Sequence, residues 1–394
     1  MTNISLDEKL ETLLRESLSS VVERERTTFD YMAAPFQRDI VLYGAGGLGC
    51  DALKALRLNG IEPLAFADTS PSKWGKEVLG LKVLSPENAA QKFGRQAAFV
   101  VTISARGGDF MPIQRRLAEL SCLKVVPFRS LFWKFPENCP AHLYQDVPSR
   151  ILMQKDSIRR AYCLMADDLS REEFVSQLRW RLLQDFGGLT VPCSTEQYFL
   201  EDIFSLESSE VFVDAGAYDG DTLRAFLRKR PGFDGFVALE PDPINFRRLS
   251  ECVSQLPAEL RTKILCKMVC VGARKETIRF EASAGEASQV SEVGNTEVQC
   301  ETLDEMVSDL SPTFIKMDIE GAELDALQGS INLLKQSQAI WAVCVYHKPE
   351  HLWQLPVFIS DHSTGYRFFL RKYVGEIWET VCYAVPVERM NSTR

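Results

Sequence analysis

Three features of the 394-residue chain point to an α/β protein with two doubly wound parallel sheets. Short apolar runs that read as strands alternate with stretches of helical periodicity. Two of these runs, Asp39–Tyr43 and Val211–Val213, lead into glycine-bearing turns, GAGGLG and DAGAYDGD, and then into helices. The next strand in each half ends on an acid, Asp68 in the first and Glu240 in the second. At 45% hydrophobic and 25% charged residues, the chain can build two separate cores.

Residues 1–35 read as an N-terminal helix. Ser5 and Glu8 form a capping box, and Leu6, Leu10, Leu13, Leu14, Leu18 and Val21 follow at helical spacing. Residues 36–145 carry the strand, glycine turn, helix, strand, acid order of a Rossmann-like dinucleotide-binding unit. In that reading Gly44 permits the tight turn and Gly46 lets a phosphate approach the backbone. Gly49 lets the helix pack on the strand, and Asp68 holds ribose hydroxyls. Apolar runs at Ala97–Ile103 and Lys124–Phe128 supply further strands. Residues 146–205 read as a helical connector or lid, with a capping box at Ser170 and Glu173 and a stop at Gly187 and Gly188. Residues 206–394 form the second α/β domain. There Glu240 is placed to bind both hydroxyls of a ribose, and Asp242-Pro243 opens the next helix.

Charge and composition narrow the function. Residues 1–150 hold 19 basic and 17 acidic residues, and the remainder 26 and 37. So acidic a second part lacks the basic footprint of nucleic-acid binding, and a small-molecule partner is expected. Eleven cysteines without a CxxC pair suit reduced thiols in a cytoplasmic protein. No apolar run approaches the ~18 residues of a membrane span, and the acidic N-terminus has no signal-like apolar region. No membrane partner is expected, and the sequence does not reveal the oligomeric state.

The first domain resembles the N-terminal Rossmann-like domains of sugar-modifying acyltransferases, on the segment ADTSPSKWGKEVLGLKVLSPE. The resemblance leaves three roles open for Gly44, Gly46, Gly49 and Asp68: a structural domain, a nucleotide-sugar site, or an NAD(P) site.

In the second domain VDAGAYDGDT, ALEPDP, VGARKE, ETLDEM and IKMDIEGAE occur in that order. Together they resemble FkbM-type methyltransferases. The resemblance implies a seven-stranded class I methyltransferase fold and S-adenosylmethionine as cofactor. It places Asp214, Gly216 and Gly220, with Ala217, Tyr218 and Thr222 of the same loop, around the methionine part. Glu240 and Pro241 fall at the ribose, and Val271 and Gly272 at the adenine.

Catalysis is expected at the end of a fourth strand. Alternation on that strand puts Lys316, Asp318 and Glu320 on one face, with Asp318 nearest the methyl donor and acceptor and Glu323 more peripheral. His347, on the rim after a fifth strand, is a candidate base or substrate contact. His347 and His351 are four apart as on a helical face, but Pro349 lies between them and no third ligand is evident, so no metal is expected. The leading expectation is an O-methyltransferase acting on a small or carbohydrate-like hydroxyl. The alternatives are an NAD(P)-dependent oxidoreductase and a non-catalytic nucleotide-sugar-binding module.

Overall fold

The computed structural model describes residues 4–103, 108–139, 145–229, 232–281, 289–290 and 296–391. The chain divides into two compact units, each assembled from separate stretches. The first comprises residues 1–155, 175–191 and 374–378, and the second residues 156–174, 192–373 and 379–394. The helix Asp168–Leu183 is thus shared between them.

The first unit holds the strands β1 (Ile40–Tyr43), β2 (Ala65–Ala67), β3 (Glu77–Val78), β4 (Leu81–Leu84), β5 (Ala98–Val101) and β6 (Lys124–Pro127). They form one sheet in the order β3-β4-β2-β1-β5-β6, parallel except for β3. The strand residues are apolar on both faces because helices cover both. Ile40 and Leu42 pack with the helices Leu18–Ala33 and Gly47–Leu58, while Val41 and Tyr43 pack with Pro86–Phe93 and Phe110–Glu119. The N-terminal segment is two helices, Leu6–Leu14 and Leu18–Ala33, where the periodicity predicts one. Ser17 breaks it, since its hydroxyl accepts the Ser20 N–H at 3.2 Å and starts a new helix.

The second unit contains β7 (Val211–Ala215), β8 (Gly235–Leu239), β9 (Ile264–Lys267), β10 (Cys270–Val271), β11 (Glu276–Glu281), β12 (Gln289–Val290), β13 (Thr296–Glu301), β14 (Phe314–Met317), β15 (Ile340–Cys344), β16 (Tyr366–Lys372) and β17 (Thr380–Pro386). Seven of them form a sheet in the order β16-β17-β15-β14-β7-β8-β9, in which β17 alone runs antiparallel to both neighbours. Phe314, Phe212 and Phe236 stand side by side on the three adjacent central strands. Their rings stack at 4.6 and 5.0 Å, which pins the register at the centre of the sheet. A smaller sheet, β10-β13-β11-β12, follows β9 and was not anticipated from the sequence.

The strand order reverses between β7 and β14, whose neighbours lie on opposite sides. Ligands of such sheets bind outside the carboxyl ends of the strands at this point.

Candidate active site

The residues that gather at the β7–β14 switch point are charged and buried. Lys316, on β14, is 2% exposed, and its Nζ lies 3.0 Å from Asp214 Oδ1 on β7 and donates to the Gly216 carbonyl at 2.6 Å. The ammonium also sits 5.4 Å from the centre of the Tyr198 ring. Burial works against its charge, but Asp214 beside it, with Asp318 and Asp221, holds it above the ordinary lysine value. Asp214 itself is pushed up to about 6 by complete burial, which Lys316 only partly offsets. Its Oδ2 has no hydrogen-bond partner among the described residues.

Gly216 has φ +84°, and a Cβ there would lie 1.9 Å from the Asp318 carbonyl oxygen. The sequence reading gave this glycine to a ligand. Its stronger reason is that the backbones after β7 and β14 touch at this point, and only glycine lets them. Ala217 and Gly216 donate to the Leu239 carbonyl at 3.0 and 2.9 Å, which ties the loop to the end of β8. Tyr218, at φ +47°, gives its N–H to Glu240 Oε2 at 2.8 Å, and Asp242 gives its N–H to Oε1 at 2.9 Å. Glu240 is 6% exposed, and burial pushes it up to about 7 despite these backbone donors and nearby Lys316. Each of its oxygens retains a lone pair for a further donor. Gly220 packs on Leu249 and Cys252, Thr222 is buried in the first turn of the helix Asp221–Lys229, and Pro241 is half-buried. Val271 ends β10, and the following Gly272 donates to the Glu301 carbonyl at 3.0 Å. Burial, then Cys300 and Glu240, push neighbouring Cys270 up to about 12, so Glu240 lies within electrostatic reach of this segment.

The strand alternation proposed for Lys316, Asp318 and Glu320 does not carry through. β14 ends at Met317, and Asp318 and Glu320 lie in the following turn, with Glu320 at φ +54° and Gly321 at φ +98°. The turn, not the pleat, aims them. Asp318 Oδ2 accepts from Tyr198 Oη at 3.0 Å, and Oδ1 accepts from Tyr346 Oη at 3.3 Å. His347 Nε2 lies 3.4 Å from Asp318 Oδ1 and 3.7 Å from Glu320 Oε2.

Glu323 is not peripheral. It is fully buried, its Oε1 lies 2.7 Å from His347 Nδ1, and the same oxygen accepts the N–H groups of Ile319 and Gly321. Burial opposes its charge, but His347 and His351 hold it well below the usual carboxylate range. Burial likewise opposes a charged His347, and Glu323, Glu320 and Asp318 reverse this to raise it to about 10. Burial, with Asp318 and Glu323, pushes Glu320 up to about 8 against the pull of His347.

Residues 214–381 match the family model of the methyltransferase FkbM domain. This segment is similar to methyltransferase FkbM domains. A crystal structure of methyltransferase FkbM from Methylobacillus flagellatus KT superposes with a TM-score of 0.75 at 20% identity, over 96% of this chain and 99% of that one. The fold of the FkbM relative is therefore shared across the chain. Fibrillarin from Aeropyrum pernix with bound S-adenosyl-L-methionine gives a TM-score of 0.29 at 13% identity, over 46% of this chain and 69% of that one, too slight to bear on function. No curated protein matches the chain.

Outside the matched segment, the glycine turn of the first unit is formed as expected, but its acid is committed elsewhere. Gly44 has φ +121°, and a Cβ on Gly49 would lie 2.0 Å from the Gly44 carbonyl, so strand and helix touch there. Gly46 faces open space. Asp68 accepts from Ala45 N at 2.8 Å and Lys73 Nζ at 2.9 Å on Oδ2, and from Ser70 N at 2.8 Å on Oδ1. A groove at the carboxyl edge of β5 and β6 is lined by Phe110, Phe186, Trp180 and Arg129, whose guanidinium lies 3.7 Å from the Trp180 ring centre.

Sequence reasoning missed Tyr198 and Tyr346. Tyr198 lies in the segment read as helical, yet no helix follows Leu183 before β7 among the described residues, and Tyr198 has φ +70°. Tyr346 directly precedes His347, and that position beside a candidate site residue was the available signal.

Proposed function

We propose that the FkbM-like domain transfers a methyl group from S-adenosylmethionine to a hydroxyl oxygen of a small or carbohydrate-like acceptor. The observation that carries this reading is the division of the switch point into two sides. On one side, Glu240 keeps a lone pair on each oxygen and Asp214 Oδ2 is buried without a hydrogen-bond partner among the described residues. A ribose diol and an ammonium group are the donors that suit these acceptors. On the other side, Asp318 and Glu320 reach the solvent-facing rim, their side chains 21% and 27% exposed, and Asp318 is the one aligned by Tyr198 and Tyr346.

S-adenosylmethionine, when bound, supplies a methyl group on a sulfonium, which an oxygen nucleophile attacks in line. The rest is positioning, which can lower a barrier by roughly 7 to 11 kcal/mol. Asp214 and Glu240 hold the cofactor side, and Lys316 fixes Asp214. Asp318 orients the acceptor hydroxyl and takes its proton, and Glu320 flanks the acceptor.

The test is methyl transfer from labelled S-adenosylmethionine to a panel of hydroxylated metabolites and saccharides, by wild type and Asp318→Ala. The variant should lose ~10² to 10⁴-fold in rate while binding the cofactor normally. An acceptor methylated equally well by both proteins would remove Asp318 from the mechanism. Absence of S-adenosylmethionine binding by wild type would end the reading altogether.

A further inference from the structure

His347 Nε2 presents a problem of satisfaction. The residue is 2% exposed, and the atom has no hydrogen-bond partner among the described residues. The nearest carboxylate oxygens, Asp318 Oδ1 at 3.4 Å and Glu320 Oε2 at 3.7 Å, are ion-pair neighbours at most. A buried polar atom left without a partner costs about 1 to 3 kcal/mol. The other ring nitrogen is fixed, with Nδ1 2.7 Å from Glu323 Oε1, and Glu323 is itself fully buried and anchored by two backbone N–H groups. A carboxylate that receives one N–H of an imidazole turns the other nitrogen outward as a ligand, the arrangement of carboxylate–histidine–metal triads.

We propose that His347 Nε2, Asp318 Oδ1 and Glu320 Oε2 bind a divalent cation, with Glu323 as the residue that positions the imidazole. His347 Nε2 is the shared centre of the proposed ligands, while Glu323, whose ligand atoms cluster with those of Asp318 and His347 within 4.8 Å, is engaged at His347 Nδ1. Ligands about 2.0 to 2.2 Å from a metal stand roughly 3.0 to 3.4 Å apart, so the His347–Asp318 pair is already at that spacing, and the His347–Glu320 pair at 3.7 Å needs a few tenths of an ångström of closure. One imidazole nitrogen with two carboxylate oxygens suits Mn²⁺, Fe²⁺ or Zn²⁺ better than a purely oxygen-seeking cation. The Asp318 and Glu320 side chains are 21% and 27% exposed, which leaves solvent access for the ion. The sequence reading looked for a partner in His351, but His351 Nδ1 faces Glu323 Oε2 at 3.2 Å, and the further ligands come from the turn after β14. Taken with the methyl-transfer reading, on which this last step rests, the cation's open positions would hold the acceptor's oxygens beside Asp318.

The experiment uses the full chain stripped with a chelator, then titrated with Mn²⁺ by calorimetry and by the loss of the free-ion electron paramagnetic resonance signal. Binding of one ion per chain is expected, weakened at least tenfold in His347→Gln and in Glu320→Gln. Glu320 is part-exposed, so its variant tests the site without threatening the core. Mn²⁺ should raise the thermal midpoint of wild type and not of Glu320→Gln. No saturable binding, or binding equal in all three proteins, would overturn the proposal. Calorimetry with S-adenosylmethionine on the stripped chain separates the two readings. Cofactor binding without Mn²⁺ binding sinks the cation site alone, and the reverse sinks only the methyl donor.

Discussion

Asp68 and Glu240 stand at corresponding points of two sheets built on the same plan, each at the end of the strand beside the first and next to a glycine-bearing turn. The chain itself treats them differently. Asp68 receives two backbone N–H groups and the Lys73 ammonium, and these hold it below its ordinary value although burial pulls the other way. Glu240 receives one N–H on each oxygen, and burial wins, pushing it up to about 7. What separates a turn-locking acid from one poised for a ligand is thus how many donors the protein supplies. In the first unit Asp68 closes the loop onto itself, a geometry that does not favour the NAD(P) reading. In the second, the acids at the switch point carry unspent acceptor capacity.

The largest expected effect that sharpens this contrast comes from Lys316, buried beside Asp214 at the second unit's switch point, whereas the Lys73 that meets Asp68 is part-exposed. Lys316 and Asp214 have side chains 3% and 0% exposed, so removing the lysine strands a carboxylate in the core. Lys316→Met should lower unfolding stability by about 3 to 5 kcal/mol, read by denaturant titration. The double variant Lys316→Met/Asp214→Asn should recover a substantial part, because the stranded charge is gone. A single variant as stable as wild type would mean that the pair is not the keystone of the switch point.

Glu240→Gln comes next. Losing one charge-assisted hydrogen bond of about 1.5 to 3 kcal/mol should weaken S-adenosylmethionine binding roughly 10- to 150-fold by calorimetry. The same residue gives a pH signature. Its ordinary value is 4.5 and burial raises it to about 7 in the folded chain, so between these values the folded state binds the extra proton. Stability from this group is present below about 4.5 and lost as pH rises through about 7. The thermal midpoint should therefore fall less between pH 5 and 7.5 in Glu240→Gln than in wild type. Equal slopes would place the raised titration elsewhere.

Much of this was legible beforehand. Alternating strands and helices, the two glycine turns and the ordered FkbM motifs gave the doubly wound sheets and led to Asp214, Glu240, Lys316 and Asp318, because each motif is local and its chemistry follows from residue type. Contacts between distant segments were not legible. Tyr198 meets Asp318 across 120 positions of sequence, and nothing near either residue announces it. The anchoring of His347 by Glu323 depends on a turn that ends β14 three residues sooner than strand alternation implied. The four-stranded sheet escaped because its strands are rich in charged and polar residues, as in ETIRFE and TEVQCE, and lack the apolar runs that mark a central strand.

The smallest effect tests the other half of the contrast. The signal that Asp68 is committed was present in the sequence as Lys73, five residues on, whereas the residues after Glu240, Pro241-Asp242-Pro243, offer no cation. Asp68→Asn loses the charge pair and one acceptor oxygen. The Lys73 side chain is 38% exposed, so solvent already screens that pair and the loss should be only about 1 kcal/mol. S-adenosylmethionine affinity should not change, since the cofactor reading uses no residue of the first unit. If wild type binds NAD(P) saturably and Asp68→Asn does not, Asp68 exchanges its internal donors for a ribose. The first unit would then be a second nucleotide site, and the contrast between the two acids would disappear.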